Sequence, residues 1–144
     1  MLFRHMLLAM LLSTAAQNAA AQALTLGQVK QKGATPLTKE ELATLLPGSE
    51  YRRQVGTAYT HWTNFPDGTV DAGRINSGTR TVRYNRDGQD GTWRVRDDGA
   101  YCVDVAGDYP AKWCRTIYRL GNDYYAFSPR AVDEAKAWKF SLKR

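Results

Sequence analysis

The sequence predicts a mainly β protein in which an antiparallel up-and-down meander forms a small barrel or sandwich, with one short helix ahead of it and another before the last strand. Three observations carry this prediction. Beyond Gly48, apolar and polar residues alternate at period two, turn-forming dipeptides recur at short intervals, and the aromatic residues fall on one alternating face of each run. A chain of 144 residues, 43% hydrophobic and 24% charged, is of single-domain size and rich enough in apolar residues to build a core.

The first segment is read as a targeting one. The chain opens Met1-Leu2-Phe3-Arg4-His5, continues through an apolar stretch at 6–16 and reaches Ala20-Ala21-Gln22-Ala23. A basic start, a short apolar run and a small-residue site follow the order of a secretory signal peptide, with cleavage expected after Ala23. The unbroken apolar run at 6–12 is well short of the ~18 residues a membrane span needs, and no cysteine lies nearby to receive a lipid. The expected mature chain, 24–144, is periplasmic or secreted, as in Gram-negative export, and does not span the membrane. Residues 24–37 read as a polar, weakly patterned lead and 38–144 as the β-rich domain.

The helix at 39–46 rests on Thr38-Lys39-Glu40-Glu41. Thr38 can cap the first turn, and Glu41, three residues on, can reach back to the N–H of the cap. Leu42, Leu45 and Leu46 supply an apolar stripe, and Pro47-Gly48 ends it. Turns are then expected at Pro66-Asp67-Gly68, Asp87-Gly88, Asp90-Gly91, Asp98-Gly99 and Gly121-Asn122. Strands are expected between them at 57–65, 69–74, 79–84, 92–96, 100–105, 113–120 and 124–128. Ser128-Pro129 opens a helical stretch to Lys136, and 137–142 alternates Trp138, Phe140 and Leu142 against polar neighbours as a last strand.

Cys102 and Cys114 form an even pair in a chain expected in an oxidising compartment and read as one disulfide. Their spacing suits neither a redox motif nor a zinc site. Closing such a loop stabilises by roughly 2–3 kcal/mol. Cys102 falls opposite Tyr101 and Val103, so the bridge is expected on the side away from Trp113, tying adjacent strands.

Catalytic constellations are sparse, and no catalysis, metal or cofactor is expected. His61 is the one histidine of the mature chain, and no serine sits in a strand-to-helix elbow to use it as a base. Asp67, Asp71, Asp97, Asp98, Asp104 and Asp108 mostly occupy turn positions, where a short carboxylate satisfies its own backbone. The stretch Asn85 to Arg96 lacks the glycine and the final glutamate of a calcium loop. Binding residues are better represented. Tyr59, His61, Tyr84, Arg115 and Arg119 are candidate pocket-wall residues, because aromatic area with a few polar heads is what such pockets use. Arg115 and Arg119 alternate onto the partly apolar face of Trp113 and Ile117, so either a bulge shifts the pattern or their guanidinium groups line a polar cavity.

The formal net charge is +6, and removing Arg4 with the signal segment leaves 19 basic against 14 acidic residues. A basic surface favours acidic partners, and for an exported chain nucleic acid is not expected among them. Two functions follow. One is a binding module for a small amphiphilic or acidic ligand. The alternative is an interaction protein, an inhibitor or accessory factor docking on an envelope protein through a basic strand face that carries Arg74, Arg80, Arg83, Arg94 and Arg96.

Gly33-Ala34-Thr35-Pro36-Leu37-Thr38 before a short helix, then Phe65-Pro66-Asp67-Gly68-Thr69, Gly91-Thr92-Trp93-Arg94-Val95, Tyr101-Cys102 and Cys114-Arg115-Thr116-Ile117-Tyr118-Arg119 form an ordered set over 33–127. That order resembles a family of small exported proteobacterial proteins, domain-of-unknown-function family number 995. The resemblance implies export and a lipocalin-like β architecture, and it assigns no catalytic residue.

Overall fold

A computed structural model describes residues 23–75, 81–83, 91–106 and 111–144. The order of elements is α1 (Leu26–Gln31), β1 (Thr35–Pro36), α2 (Lys39–Leu45), β2 (Glu50–Val55), β3 (Ala58–Asn64), β4 (Thr69–Ile75), β5 (Thr81–Arg83), β6 (Gly91–Val95), β7 (Tyr101–Val105), β8 (Ala111–Leu120), β9 (Asp123–Phe127) and β10 (Trp138–Lys143). Strands β2, β3, β4, β6, β7, β8, β9 and β10 pair antiparallel in that sequence, and β10 returns to β2. The result is a closed eight-stranded up-and-down barrel, the small lipocalin-like architecture expected. β1 adds to β8, and β5 covers the far half of β4.

Strand alternation decides what fills the barrel. Tyr51, Trp62, Val70, Ala72, Tyr101, Val103, Val105, Ile117, Ala126 and Phe140 are buried in one cluster, and Trp93, Trp113 and Trp138 pack against it. Tyr51 stacks on Phe140 at 4.4 Å and meets Trp62 edge-on at 5.1 Å, while Trp113 meets Tyr101 at 5.3 Å and Trp62 at 5.9 Å. These separations are those at which ring pairs add about 0.5–1.5 kcal/mol each to their area burial.

α2 stops one end of this column. Its start is the expected capping box, with Glu41 N donating to Thr38 Oγ1 at 3.2 Å and Thr38 N to Glu41 Oε2 at 2.8 Å. Leu37, Leu42 and Leu46 join the barrel core. Beside them a buried polar chain is satisfied link by link: Tyr101 Oη donates to Asn64 Oδ1 at 2.7 Å, Asn64 Nδ2 to Ser49 Oγ at 3.3 Å, and Ser49 Oγ to the Leu46 carbonyl at 2.7 Å. The helix end and two strands are thereby joined without an orphaned group.

The structure corrects the sequence reading at three places. The lead at 24–37 contains α1, opened by a second capping box in which Gln28 N donates to Thr25 Oγ1 and Thr25 N to Gln28 Oε1. Gly27 within so short a helix hides it, and Leu26 and Val29 are held by packing on Tyr125 and Phe127 outside the barrel. The expected helix at 128–136 is instead a pair of turns, because the carbonyls of Asp133 and Ala135 accept from Gly27 N and Leu26 N, the otherwise unpaired first amides of α1. Strand β2 has no counterpart in the sequence reading, since Arg52-Arg53-Gln54 breaks its apolar face. The strand expected at 79–84 is described only at β5, and the turn at Asp87-Gly88 lies outside the described residues, as does Asp108.

Cys102 and Cys114 sit directly opposite each other on β7 and β8 and are bonded, on the outer face as expected. Replacing both by Ser is expected to lower the unfolding free energy in urea by about 3 kcal/mol, the chain-entropy contribution of a loop this size. Gly91 is where β6 meets both β4 and β7, paired to Val70 and Val105. A Cβ there would lie 2.0 Å from the Asp104 carbonyl oxygen and 2.8 Å from Val105 Cα, both backbone atoms. Gly91→Ala is therefore expected to cost about 1–3 kcal/mol, read from the same denaturation curves.

Candidate ligand-binding site

The two ends of the barrel differ in what alternation delivers to them. On β8, Trp113, Arg115 and Ile117 share the inner face, because Cys114 between them is bonded outside. On β2, buried Tyr51 sets the inner face, and Arg53 follows two residues on. The sequence left a choice for Arg115 between a bulge and a polar cavity. Regular pairing of β8 with β7 and β9 resolves it, and the guanidinium enters the barrel.

Both arginines converge on Trp138, the first residue of β10. The Arg53 guanidinium carbon lies 4.0 Å from the centre of the Trp138 ring and that of Arg115 lies 3.9 Å from it. The two cations are thus within about 8 Å of each other, each on an indole that attracts it. Among the described residues neither has a carboxylate at ion-pair distance. Burial lowers the Arg115 pKa, with Tyr51 opposing that shift and Arg53 adding to it, and a guanidinium remains protonated regardless. Two buried donors lack hydrogen-bond partners in the barrel, Arg115 Nε and Trp62 Nε1. The arrangement concentrates positive charge and free N–H groups on a ring platform, which is chemistry for an oxyanion.

Two clefts of similar size open near the barrel. One, of about 740 Å³, runs between β2 and β10 and includes Arg53 and Trp138 among its walls. The other, of about 730 Å³, lies at the α2 end against Leu45, Tyr124 and Leu142.

The sequence-predicted binding residues are dispersed. Arg115 belongs to the cation pair. Tyr59 lines the cleft between β2 and β10 from the outer face of β3. His61 also lies outside, its imidazole over Gly73 on β4, where an added Cβ would meet Nε2 at 2.5 Å. Arg119 lies in the cleft at the α2 end, 3.9 Å from Glu41. Tyr84 lies outside the described residues. Of the basic strand face, Arg94 is exposed on β6, Arg96 is paired with Asp98 at 2.9 Å, Arg74 and Arg83 are placed by backbone alone, and Arg80 is outside the described residues. Arg53 and Trp138 were not among the predicted binding residues. The period-two spacing of Tyr51, Arg53 and Val55 was the available signal for the first, and Trp138 was read only as part of the alternating apolar face of the last strand.

No family model, curated protein or solved structure matches the chain. None of the described helices is long and apolar enough to cross a membrane, and no group of three or more metal-ligating side chains occurs among the described residues.

Burial raises the pKa of both Tyr51 and Tyr101 well above the usual tyrosine value of about 10. A phenol whose folded pKa is raised stabilises the fold below its unfolded pKa and loses that contribution as pH climbs toward the folded value. The protein is expected to unfold in alkali above about pH 10, and Tyr51→Phe to make the loss shallower by about 1.4 kcal/mol per pH unit. Urea titrations between pH 9 and 12, followed with tyrosinate absorbance, measure both.

Proposed function

We propose that this chain is an exported β-barrel binding module for a small acidic or amphiphilic ligand, whose anionic group seats against Arg53, Arg115 and Trp138. The observation that supports this most is the pair of partly buried guanidinium groups on one indole, with no carboxylate at ion-pair distance from either among the described residues. Like charges at such a separation repel by on the order of 2 kcal/mol at an effective dielectric near 20. A core assembled for stability alone would gain by placing an acid there, whereas a binding site leaves that place for its ligand. Export is supported by the signal-like first 23 residues, by the disulfide, and by the ordered motifs resembling an exported family.

Native mass spectrometry of protein purified without denaturant from the exported fraction tests this reading. The expected spectrum shows the mature chain, two hydrogens lighter for its bridge, with a bound acidic mass that is lost from the Arg53→Gln/Arg115→Gln variant. Added dodecanoate or phosphate is expected to raise the wild-type melting temperature more than that of the variant. A ligand-free wild type whose melting temperature neither anion shifts would overturn the proposal.

A further inference from the structure

The ladder between β10 and β2 stops early. Ser141 pairs with Arg52, Leu142 with Tyr51 and Lys143 with Glu50. Continued in register, Phe140 would face Arg53, Lys139 would face Gln54 and Trp138 would face Val55, yet none of these pairs forms, while on its other edge β10 pairs with β9 through Trp138, Lys139 and Phe140. Over this half no ladder pair joins the two strands, and the 740 Å³ cleft lies along it. Its walls include the inward-facing Arg53, Trp138 and Phe140 as well as the outward-facing Gln54, Tyr59 and Tyr125. The cleft therefore borders Arg53 and Trp138, two of the three residues of the cation site, as well as the outer face of the wall.

Its charges are unequal. Arg52 is paired with Glu50 at 3.0 Å and Lys139 with Asp123 at 2.7 Å, which leaves Arg53 as the cation of the cleft without an acid at ion-pair distance among the described residues. Around it Trp138, Phe140, Tyr59, Tyr125 and Leu24 supply aromatic and apolar wall, beside the polar Gln54 and Ser141 and the two ion pairs. One anion-seeking end continuous with an apolar, laterally open channel fits a particular ligand shape.

Resting on the function proposed above, we propose that the ligand is a single-chain anionic amphiphile, its oxyanion held by Arg53 and Arg115 and its hydrocarbon tail lying in the seam between β2 and β10. The aromatic packing of Tyr51, Trp62, Trp113 and Phe140 fills the barrel axis, so the tail leaves sideways where the ladder is missing. The shared chemistry of the head is an oxyanion, carboxylate or phosphate.

The experiment is a titration of the folded, oxidised protein with inorganic phosphate, then ethyl, hexyl and dodecyl phosphate, with dodecanoate and dodecanol beside them, each below its micelle concentration and read by calorimetry. Affinity is expected to rise two- to fourfold per methylene buried, with dodecanol at least tenfold weaker than dodecyl phosphate. Comparison of dodecanoate with dodecyl phosphate identifies the preferred head. Gln54→Trp, an exposed position on the lip of the seam, is expected to flatten the chain-length dependence, its melting temperature certifying the fold. Ethyl and dodecyl phosphate binding equally well to the wild type would overturn the seam proposal while the anion site stands. A chain-length dependence undiminished in folded Gln54→Trp would place the tail elsewhere and overturn it too. No binding by any anion would overturn both readings.

Discussion

The register of β7 against β8 is the constraint on which the interior depends. Cys102 lies directly across from Cys114, and their bond makes a slip of that pairing impossible without reduction. Since side chains change face at every residue, holding Cys114 outside commits Trp113, Arg115 and Ile117 to the inside. Trp113 then touches Tyr51, Trp62, Tyr101 and Trp138, so one covalent link on the outer face positions the residue around which four other strands pack. The same link carries Arg115 to an environment an arginine would not otherwise reach.

Both ends of the barrel contain polar groups, and they are treated differently. At the α2 end, Tyr101, Asn64 and Ser49 satisfy one another and the Leu46 carbonyl at the helix end, and Ser49 and Asn64, the fully buried polar residues among those described, belong to that chain. Satisfied groups of this kind hold a closed end rigid. Toward the opposite end, Arg53 and Arg115 have an aromatic platform and no acid at ion-pair distance among the described residues, and Arg115 Nε is without an acceptor. Hydrogen bonds are completed at one end, and donors are left free toward the other, where the proposed anion would bind.

What the sequence made legible followed from strong local signals. Glycine turns, period-two aromatics and the Thr38/Glu41 capping box located α2 and most of the barrel strands, and the alternation around Cys102 placed the disulfide outside. The pattern failed where tertiary contacts override local preference. α1 is too short to stand alone and holds through packing on Tyr125 and Phe127; residues 128–136 forgo a helix because α1 takes their carbonyls. β2 was illegible for the reason that makes it interesting. A strand whose inner face reads Tyr51, Arg53, Val55 breaks the apolar pattern at Arg53, and a pattern search discards the interruption that marks the site. Arg115 was recognised as anomalous because its neighbours on β8 were clear enough for the departure to show, whereas Arg53 had only one buried neighbour, Tyr51, to be measured against.

Trp138 lies between β9 and β2. Its backbone is tied to β9 by the ladder with Ala126, while its link to β2 on the other side runs through the Arg53 guanidinium on its ring. A cation on an aromatic face contributes about 0.5–2 kcal/mol, whereas three further ladder positions would bring several backbone hydrogen bonds of about 1 kcal/mol each. The barrel therefore closes over part of its circumference by side-chain contacts, Arg53 on Trp138 and Tyr51 on Phe140, where elsewhere it closes by main chain. The first contact involves the residue an anion would engage, so occupation of the cation site and opening of the β2–β10 seam draw on the same guanidinium. Coupling of this kind needs no hinge. It follows from a wall left unpaired for three residues and from an arginine that bridges them and, under the function proposed, would also receive the anion.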